Sequence, residues 1–223
     1  MVAGETKHIK SKTRVRDQGE VFTAEREVTA MLDLVKQETE RIESRFLEPA
    51  CGNGNFLAPI LERKLALVAS RYKKSQLEYE RNVLIAIGSI YGVDIMEDNV
   101  EECRERLYKI FEDAYFALYK KKVNTSICMS AKAILKRNIV WGNALDLKTA
   151  DANPNPIVFS EWSRPRNNSL IKRHDWSYEE MVTKDEPDIF KRSKISDTGE
   201  QVFQVRPVKS FPLTHMTKIG DLV

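Results

Sequence analysis

Phe46-Leu47-Glu48-Pro49-Ala50-Cys51-Gly52-Asn53-Gly54-Asn55-Phe56-Leu57 places an apolar approach, an acid and two glycines one residue apart ahead of a second apolar run. The pattern predicts a short buried strand over 46–50 that turns sharply into a helix starting at Phe56. Glycine tolerates positive φ and lets a ligand approach the backbone, and the helix that follows presents unpaired amide groups. A lone Gly-x-Gly is more often only a turn. The reading therefore depends on the residues around it.

Downstream, Leu57, Ile60, Leu61 and Leu65 recur at helical spacing, so the helix is expected to reach about Arg71, with Pro59 harmless in its first turn. The charged stretch 72–81 is expected to continue that helix on the surface or to form a loop. Within 83–95, the run Ile90-Tyr91-Gly92-Val93-Asp94-Ile95 reads as a second buried strand ending in an acid. An acid at the carboxyl end of a second strand can accept hydrogen bonds from ribose hydroxyls, and Asp94 is the candidate. It can also cap the helix beginning at Glu97. Ile95 and Met96 would flank an adenine ring. The following helix, over about 97–122, carries Val100, Cys103, Leu107, Ile110, Phe111, Ala114 and Leu118 on one side and should cover the core. A further helix closes near 131–135, and 138–145 reads as a third strand and turn. Alternation of strands and helices argues for an α/β chain with a doubly wound sheet whose ligand sits at the carboxyl edge.

Upstream, Val28, Met31, Leu32 and Val35 predict an amphipathic helix over 23–35 with Thr23 as its cap. The first 18 residues crowd Lys7, Lys10, Lys12, Arg14 and Arg16 together and read as a flexible basic arm. The 223 residues are 42% hydrophobic, enough for a real core, and 31% charged at net +3, so any nucleic-acid contact has to come from a local patch. Cys51, Cys103 and Cys128 form no Cys-x-x-Cys and fit neither a disulfide framework nor a zinc site. A reducing, cytoplasmic setting is expected. No early apolar stretch resembles a signal peptide, and none approaches the roughly 18 residues of a membrane span. A soluble protein with no membrane partner is expected.

The glycine segment resembles the cofactor motif of the adenine-N6 DNA methyltransferases, Glu-Pro-Ala-Cys-Gly-x-Gly-x-Phe-Leu. Gly19-Glu20-Val21-Phe22-Thr23 resembles the Gly-x-x-Phe-Thr-Pro that precedes it there, with Ala24 in place of proline. Ile139-Val140-Trp141-Gly142-Asn143-Ala144-Leu145 resembles the later Ile-x-x-Gly-Asp-Ala-Leu, with Asn143 in place of aspartate; its amide oxygen can still accept a bond from an adenine amine. The resemblance covers about residues 19 to 147. It implies a Rossmann-like class I methyltransferase fold, a mainly parallel sheet with helices on both faces, and S-adenosylmethionine as cofactor. The implied cofactor contacts are Phe22, Thr23, Glu48, Ala50, Cys51, Gly52, Asn53, Gly54, Phe56, Asp94, Ile95, Asn143 and Ala144.

The family's catalytic [Asn/Asp/Ser]-Pro-Pro-[Tyr/Phe/Trp] is absent. Asn153-Pro154-Asn155-Pro156 reads as a loop. With a fourth strand expected over 156–159, the positional equivalent is Ser160-Glu161-Trp162-Ser163, where Glu161 can accept a proton and Trp162 can stack on a base. The plainer reading is a structural turn with Trp162 packed on the sheet. A basic extension over 164–223 carries Arg164, Arg166, Lys172 and Arg173 among Trp176, Tyr178 and Phe190, and 199–205 reads as one strand of a hairpin. It suits DNA or a partner interface. His8, His174 and His215 are too scattered to suggest a metal.

Three functions are left open. The chain is the cofactor-binding part of a DNA adenine methyltransferase of a restriction-modification type, with its catalytic motif and recognition domain on a partner methyltransferase or recognition subunit, or lost. Alternatively it is a complete methyltransferase using Ser160, Glu161 and Trp162, or a non-catalytic cofactor-binding or assembly module.

Overall fold

In the computed structural model, residues 23–166, 168–182, 193–195, 201–203 and 207–222 are described. Helices α1 (Glu25–Leu34) and α2 (Lys36–Thr39) precede three strands, β1 (Phe46–Glu48), β2 (Ile90–Asp94) and β3 (Ile139–Asn143). These strands lie side by side in parallel in the order β1-β2-β3, and β4 (Lys148–Thr149) adds antiparallel to β3. Parallel neighbours need a crossover, and right-handed crossovers in sequential order fall on one face. Both crossovers are double: α3 (Leu57–Tyr72) with α4 (Gln76–Gly88), then α5 (Glu97–Tyr119) with α6 (Thr125–Asn138).

Side chains alternate across the sheet as its pleat requires. Phe46, Ile90 and Ile139 enter the helical core, while Leu47, Tyr91, Val93 and Val140 enter a second cluster with Ile157, Phe159 and Tyr178. That second cluster corrects the expectation of helices on both faces. The far face is covered by β5 (Val158–Ser163) and the single-turn helix α7 (Tyr178–Val182). The chain is thus mixed α/β, with parallel and antiparallel pairing.

The direction of β5 is a further difference. A strand parallel to β3 would need a crossover of roughly a dozen residues, usually helical, but β4 turns the chain back at the carboxyl edge and residues 144–157 form no helix. Accordingly β5 runs against the sheet. Ile157 packs at Gly142, where an added Cβ would lie 2.7 Å from Ile157 Cδ1. Phe159 meets Tyr91 edge-on at 5.4 Å between ring centroids. Glu161 reaches Arg45 and Trp162 reaches Gly88, both at the amino end.

The partner of β5 is β6 (Leu170–Ser177), antiparallel, to which β9 (Lys209–Ser210) and β10 (Thr214–His215) add. The boundary expected after Ser163 therefore runs through a hairpin. The final turn, Met216–Leu222, returns to the main core through Met216 and Ile219, and Ser130 Oγ donates to the Met216 carbonyl at 2.7 Å. Between α7 and β9 in the chain, β7 (Ser193–Ile195) pairs antiparallel with β8 (Gln201–Phe203), the hairpin strand expected within 199–205.

Two boundaries move. Helix α3 ends at Tyr72, and Ser75 caps a separate α4 by accepting from the Glu78 amide at 3.4 Å, so Val83 to Gly88 are helical instead of leading into a strand. Helix α1 starts on Ala24, with no side-chain cap from Thr23, and buries only Val28 and Leu32 of its expected apolar face. Met31 and Val35 stay exposed.

One polar group holds the entry to β1. Lys64, on the buried stripe of α3 and 0% exposed, donates to the carbonyls of Arg41, Ile42 and Ser44 at 3.0, 2.9 and 2.6 Å and to Ser89 Oγ at 2.9 Å. Burial lowers its pKa to about 8 despite the opposing charges of Glu43 and Glu38.

Candidate functional site

The glycine loop sits at the carboxyl edge, between β1 and α3. Gly52 and Gly54 have φ of 51° and 87°, which L side chains rarely adopt. Cys51 donates to the Val93 carbonyl at 2.9 Å, and Gly54 donates to the Cys51 carbonyl at 2.8 Å. The loop is closed on itself and tied to β2. Beneath it lies Cys103 of α5, whose Sγ would be 3.0 Å from a Cβ on Gly54. Asn55 accepts from Arg106 of the same helix at 2.8 Å, and Phe56 packs against the main core as α3 begins.

Asp94 is the hub of the loop. One carboxylate oxygen accepts the Gly52 amide at 2.8 Å, and the other accepts the Met96 amide at 2.9 Å and Asn99 Nδ2 at 3.3 Å. A carboxylate offers about four lone-pair directions, so one remains for a hydroxyl beside Gly52. The expected bidentate grip on two ribose hydroxyls is reduced to one bond in this conformation. Asn99, absent from the sequence-based candidates, is legible as a polar residue in the first turn of the helix after the acid.

Glu48 accepts the Ala50 amide at 3.2 Å, and burial raises its pKa against that bond. A cation beside it would be stabilised by the ionised form. The Cys51 thiol is pushed far up by the adjoining Cys103 thiol and by burial, with the charges of Asp94 and Glu48 adding to the shift. It is a packing group and no nucleophile. Asn53 Oδ1 is buried and accepts no hydrogen bond among the described residues. An orphaned acceptor in a cradle of two left-handed glycines fits a ligand that brings its own N–H or O–H groups.

The third strand reaches the same edge. Asp94 is register partner of Trp141, whose Nε1 donates to the Ile95 carbonyl at 3.0 Å, and Asn143 follows two residues later. Asn143 Oδ1 accepts the Leu145 amide at 2.9 Å, so its adenine-reading role would use its remaining lone pair. Ala144 packs into the second cluster, while Ile95 is 45% and Leu145 94% exposed, an apolar rim on the edge. Thr23 is half-buried and makes no side-chain hydrogen bond among the described residues. Phe22 and the basic arm lie outside them.

Ser160, Glu161 and Trp162 do not join this site. They belong to strand β5 instead of a turn, so Ser160 and Trp162 face one side and Glu161 the other, at the opposite edge of the sheet. Ser160 Oγ donates to Asp175 at 2.7 Å and accepts from Arg173 Nε at 3.0 Å, inside a buried network where Arg173 grips Asp175 through two nitrogens. Glu161 accepts from Arg45 at 2.5 Å and Trp176 Nε1 at 2.7 Å. Trp162 packs on Gly88.

Among the described residues no group of three His, Cys, Asp or Glu side chains could hold a metal ion, and no helix is long and apolar enough to cross a membrane. Compared with protein-family models, with curated proteins and with solved structures, the chain matches none.

Proposed function

We propose that the chain binds S-adenosylmethionine at the glycine loop and acts as the cofactor-binding part of a DNA adenine-N6 methyltransferase of a restriction-modification type. The observation that carries this reading is the Gly52–Asp94 hydrogen bond, which ties a loop of two left-handed glycines to the acid ending β2. Sequential parallel strands with their crossovers on one face support a Rossmann-like half-sheet. Gly52, Asn53 and Gly54 would hold the amino-acid portion with Glu48 beside its ammonium, Asp94 the ribose, and Ile95 with Asn143 the adenine. The bound cofactor would supply an electrophilic methyl group. The chain's own contribution is to orient it and to shield one side with Cys51, Cys103 and Phe56.

The acceptor of that methyl group would be adenine in DNA, held by a partner methyltransferase or recognition subunit. The placement of Ser160, Glu161 and Trp162 on alternating faces at the far edge disfavours a self-sufficient enzyme built on them. Unpaired thiols at Cys51, Cys103 and Cys128 suit a cytoplasmic setting. Calorimetric titration of the chain with S-adenosylmethionine tests the reading: binding that Asp94→Ala weakens at least about tenfold supports it, and no binding sinks it. Methyl transfer to DNA by the chain alone would remove the need for a partner.

A further inference from the structure

We propose that the cleft at the amino end of the sheet, between β1 and β5, is an anion site that takes the phosphate of a nucleotide. It encloses about 410 Å³ and is lined by Arg45, Arg71, Tyr72, Glu161, Trp162 and Arg164 among others. That volume falls within the roughly 300–1,000 Å³ of small-ligand sites. Arg45 is neutralised by Glu161 at 2.5 Å. Among the described residues Arg164 pairs only with the Glu78 carboxylate, at 3.8 Å, and Glu78 already pairs with Arg81 at 2.5 Å.

Two buried donors on residues that line this cleft make no hydrogen bond among the described residues: Arg164 Nη1, whose carboxylate neighbour Glu78 stands off at 3.8 Å, and the indole Nε1 of Trp162, a residue only 6% exposed. Arg71 lines the same space and makes no ion pair among the described residues. Among the described residues Glu43 and Glu161 are the carboxylates on the wall. Buried donors are nearly always paired, so two left open beside surplus positive charge imply a ligand with several acceptor oxygens. A guanidinium fork matches phosphate geometry, and the half-buried ring of Tyr72 suits a planar base. The cleft lies at the opposite edge from the glycine loop and does not rest on cofactor binding there.

The test follows the indole ¹H–¹⁵N resonances of the full chain, with Trp162 assigned through Trp162→Phe, during titration with inorganic phosphate, with adenosine monophosphate, and with a short unphosphorylated thymidine oligonucleotide. We expect the mononucleotide to shift the Trp162 signal, with a smaller change at Trp176, whose indole donates to the wall residue Glu161, and to leave Trp141 in place. Arg71 is exposed, and Arg71→Ala should raise the midpoint about tenfold, the loss of one charge-assisted contact. A shift by the oligonucleotide would assign the site to a strand's internal phosphate, and a shift by the mononucleotide alone to a free nucleotide. No shift with any of the three up to about 10 mM, a Kd weaker than any specific site, means that water fills the cleft and overturns the proposal. So does a shift that Arg71→Ala leaves unchanged. S-adenosylmethionine should act on Trp141 instead, which keeps the two sites separate.

Discussion

Gly52 donates its amide to Asp94 Oδ2 at 2.8 Å, so the loop after β1 is fastened to the end of β2 by one side chain. The other oxygen of that carboxylate is committed to Met96 and Asn99. Asp94→Asn keeps the shape but has a single acceptor oxygen. Whichever way the amide turns, an N–H faces an N–H. An unmade buried bond costs about 1–3 kcal/mol, and the urea midpoint should fall accordingly. An unchanged midpoint would mean that the Gly52 bond adds nothing to the fold.

Gly54 carries two separable costs if it gains a side chain. Its φ of 87° strains any L residue, and a Cβ would meet Cys103 Sγ at 3.0 Å. Gly54→Ala should lose about 1–3 kcal/mol. Adding Cys103→Ala removes the contact and leaves the strain, so the double variant should lose less stability than the sum of the single losses in thermal or urea unfolding. Simple additivity would show that the thiol gives way freely.

The glycine loop and the three parallel strands were legible because their signals are local: alternating apolar runs, and glycines where the chain must turn. Parallel pairing follows from crossover length, but the sequential order β1-β2-β3 does not, and it differs from the doubly wound sheet expected. What the residues did not show was the direction of β5. It is set by the tight return at β4, where Leu147 takes a φ of 61° with no glycine to announce it. Nor could the sequence reveal that Ser160, Arg173 and Asp175 would meet across a hairpin, since that contact depends on register.

Glu48 should link cofactor binding to pH. Burial holds its pKa above the usual 4.5, so the folded state keeps its proton longer than the unfolded chain and loses stability as pH rises through the raised value. An ammonium bound beside it favours ionisation. Binding of S-adenosylmethionine at about pH 5 should therefore release protons, seen as enthalpies that differ between buffers of different ionisation heat, and affinity should rise with pH in this range. Glu48→Gln should abolish the release and stabilise the unliganded fold at neutral pH. A buffer-independent enthalpy for the wild type contradicts this placement of the cation.

Lys64 predicts a second pH effect. Its folded pKa of about 8 lies below the ordinary 10.5, so between these values the unfolded chain binds more protons and stability rises with pH. One proton corresponds to at most about 1.4 kcal/mol per pH unit. Buried tyrosines such as Tyr79 and Tyr91 have raised pKa values and work in the opposite sense as pH climbs past 10. The clean window is pH 8 to about 9.5. Lys64→Met takes the donor from the Arg41 and Ser44 carbonyls, while Ile42 keeps a 3.3 Å bond from Ser89 Oγ, and should cost about 1–3 kcal/mol for each carbonyl left open at pH 7. The difference between wild type and variant, followed by urea unfolding across the window, should widen with pH.

Gly88 sets helix propensity against packing. It is the last residue of α4, where alanine would ordinarily gain up to about 1 kcal/mol over glycine. A Cβ there, however, would lie 2.9 Å from both Cβ and Cδ1 of Trp162, a buried ring that also packs near Arg173 at 5.6 Å. Overpacking a closed core costs about 1–3 kcal/mol, so the clash should win and Gly88→Ala should lower Tm. Combining it with Trp162→Leu relieves the contact, and in that background the same substitution should turn neutral or stabilising. If Gly88→Ala raises Tm in the wild-type background, the indole does not sit on the end of α4, and the course of β5 toward the amino end of the sheet loses one of its two anchors.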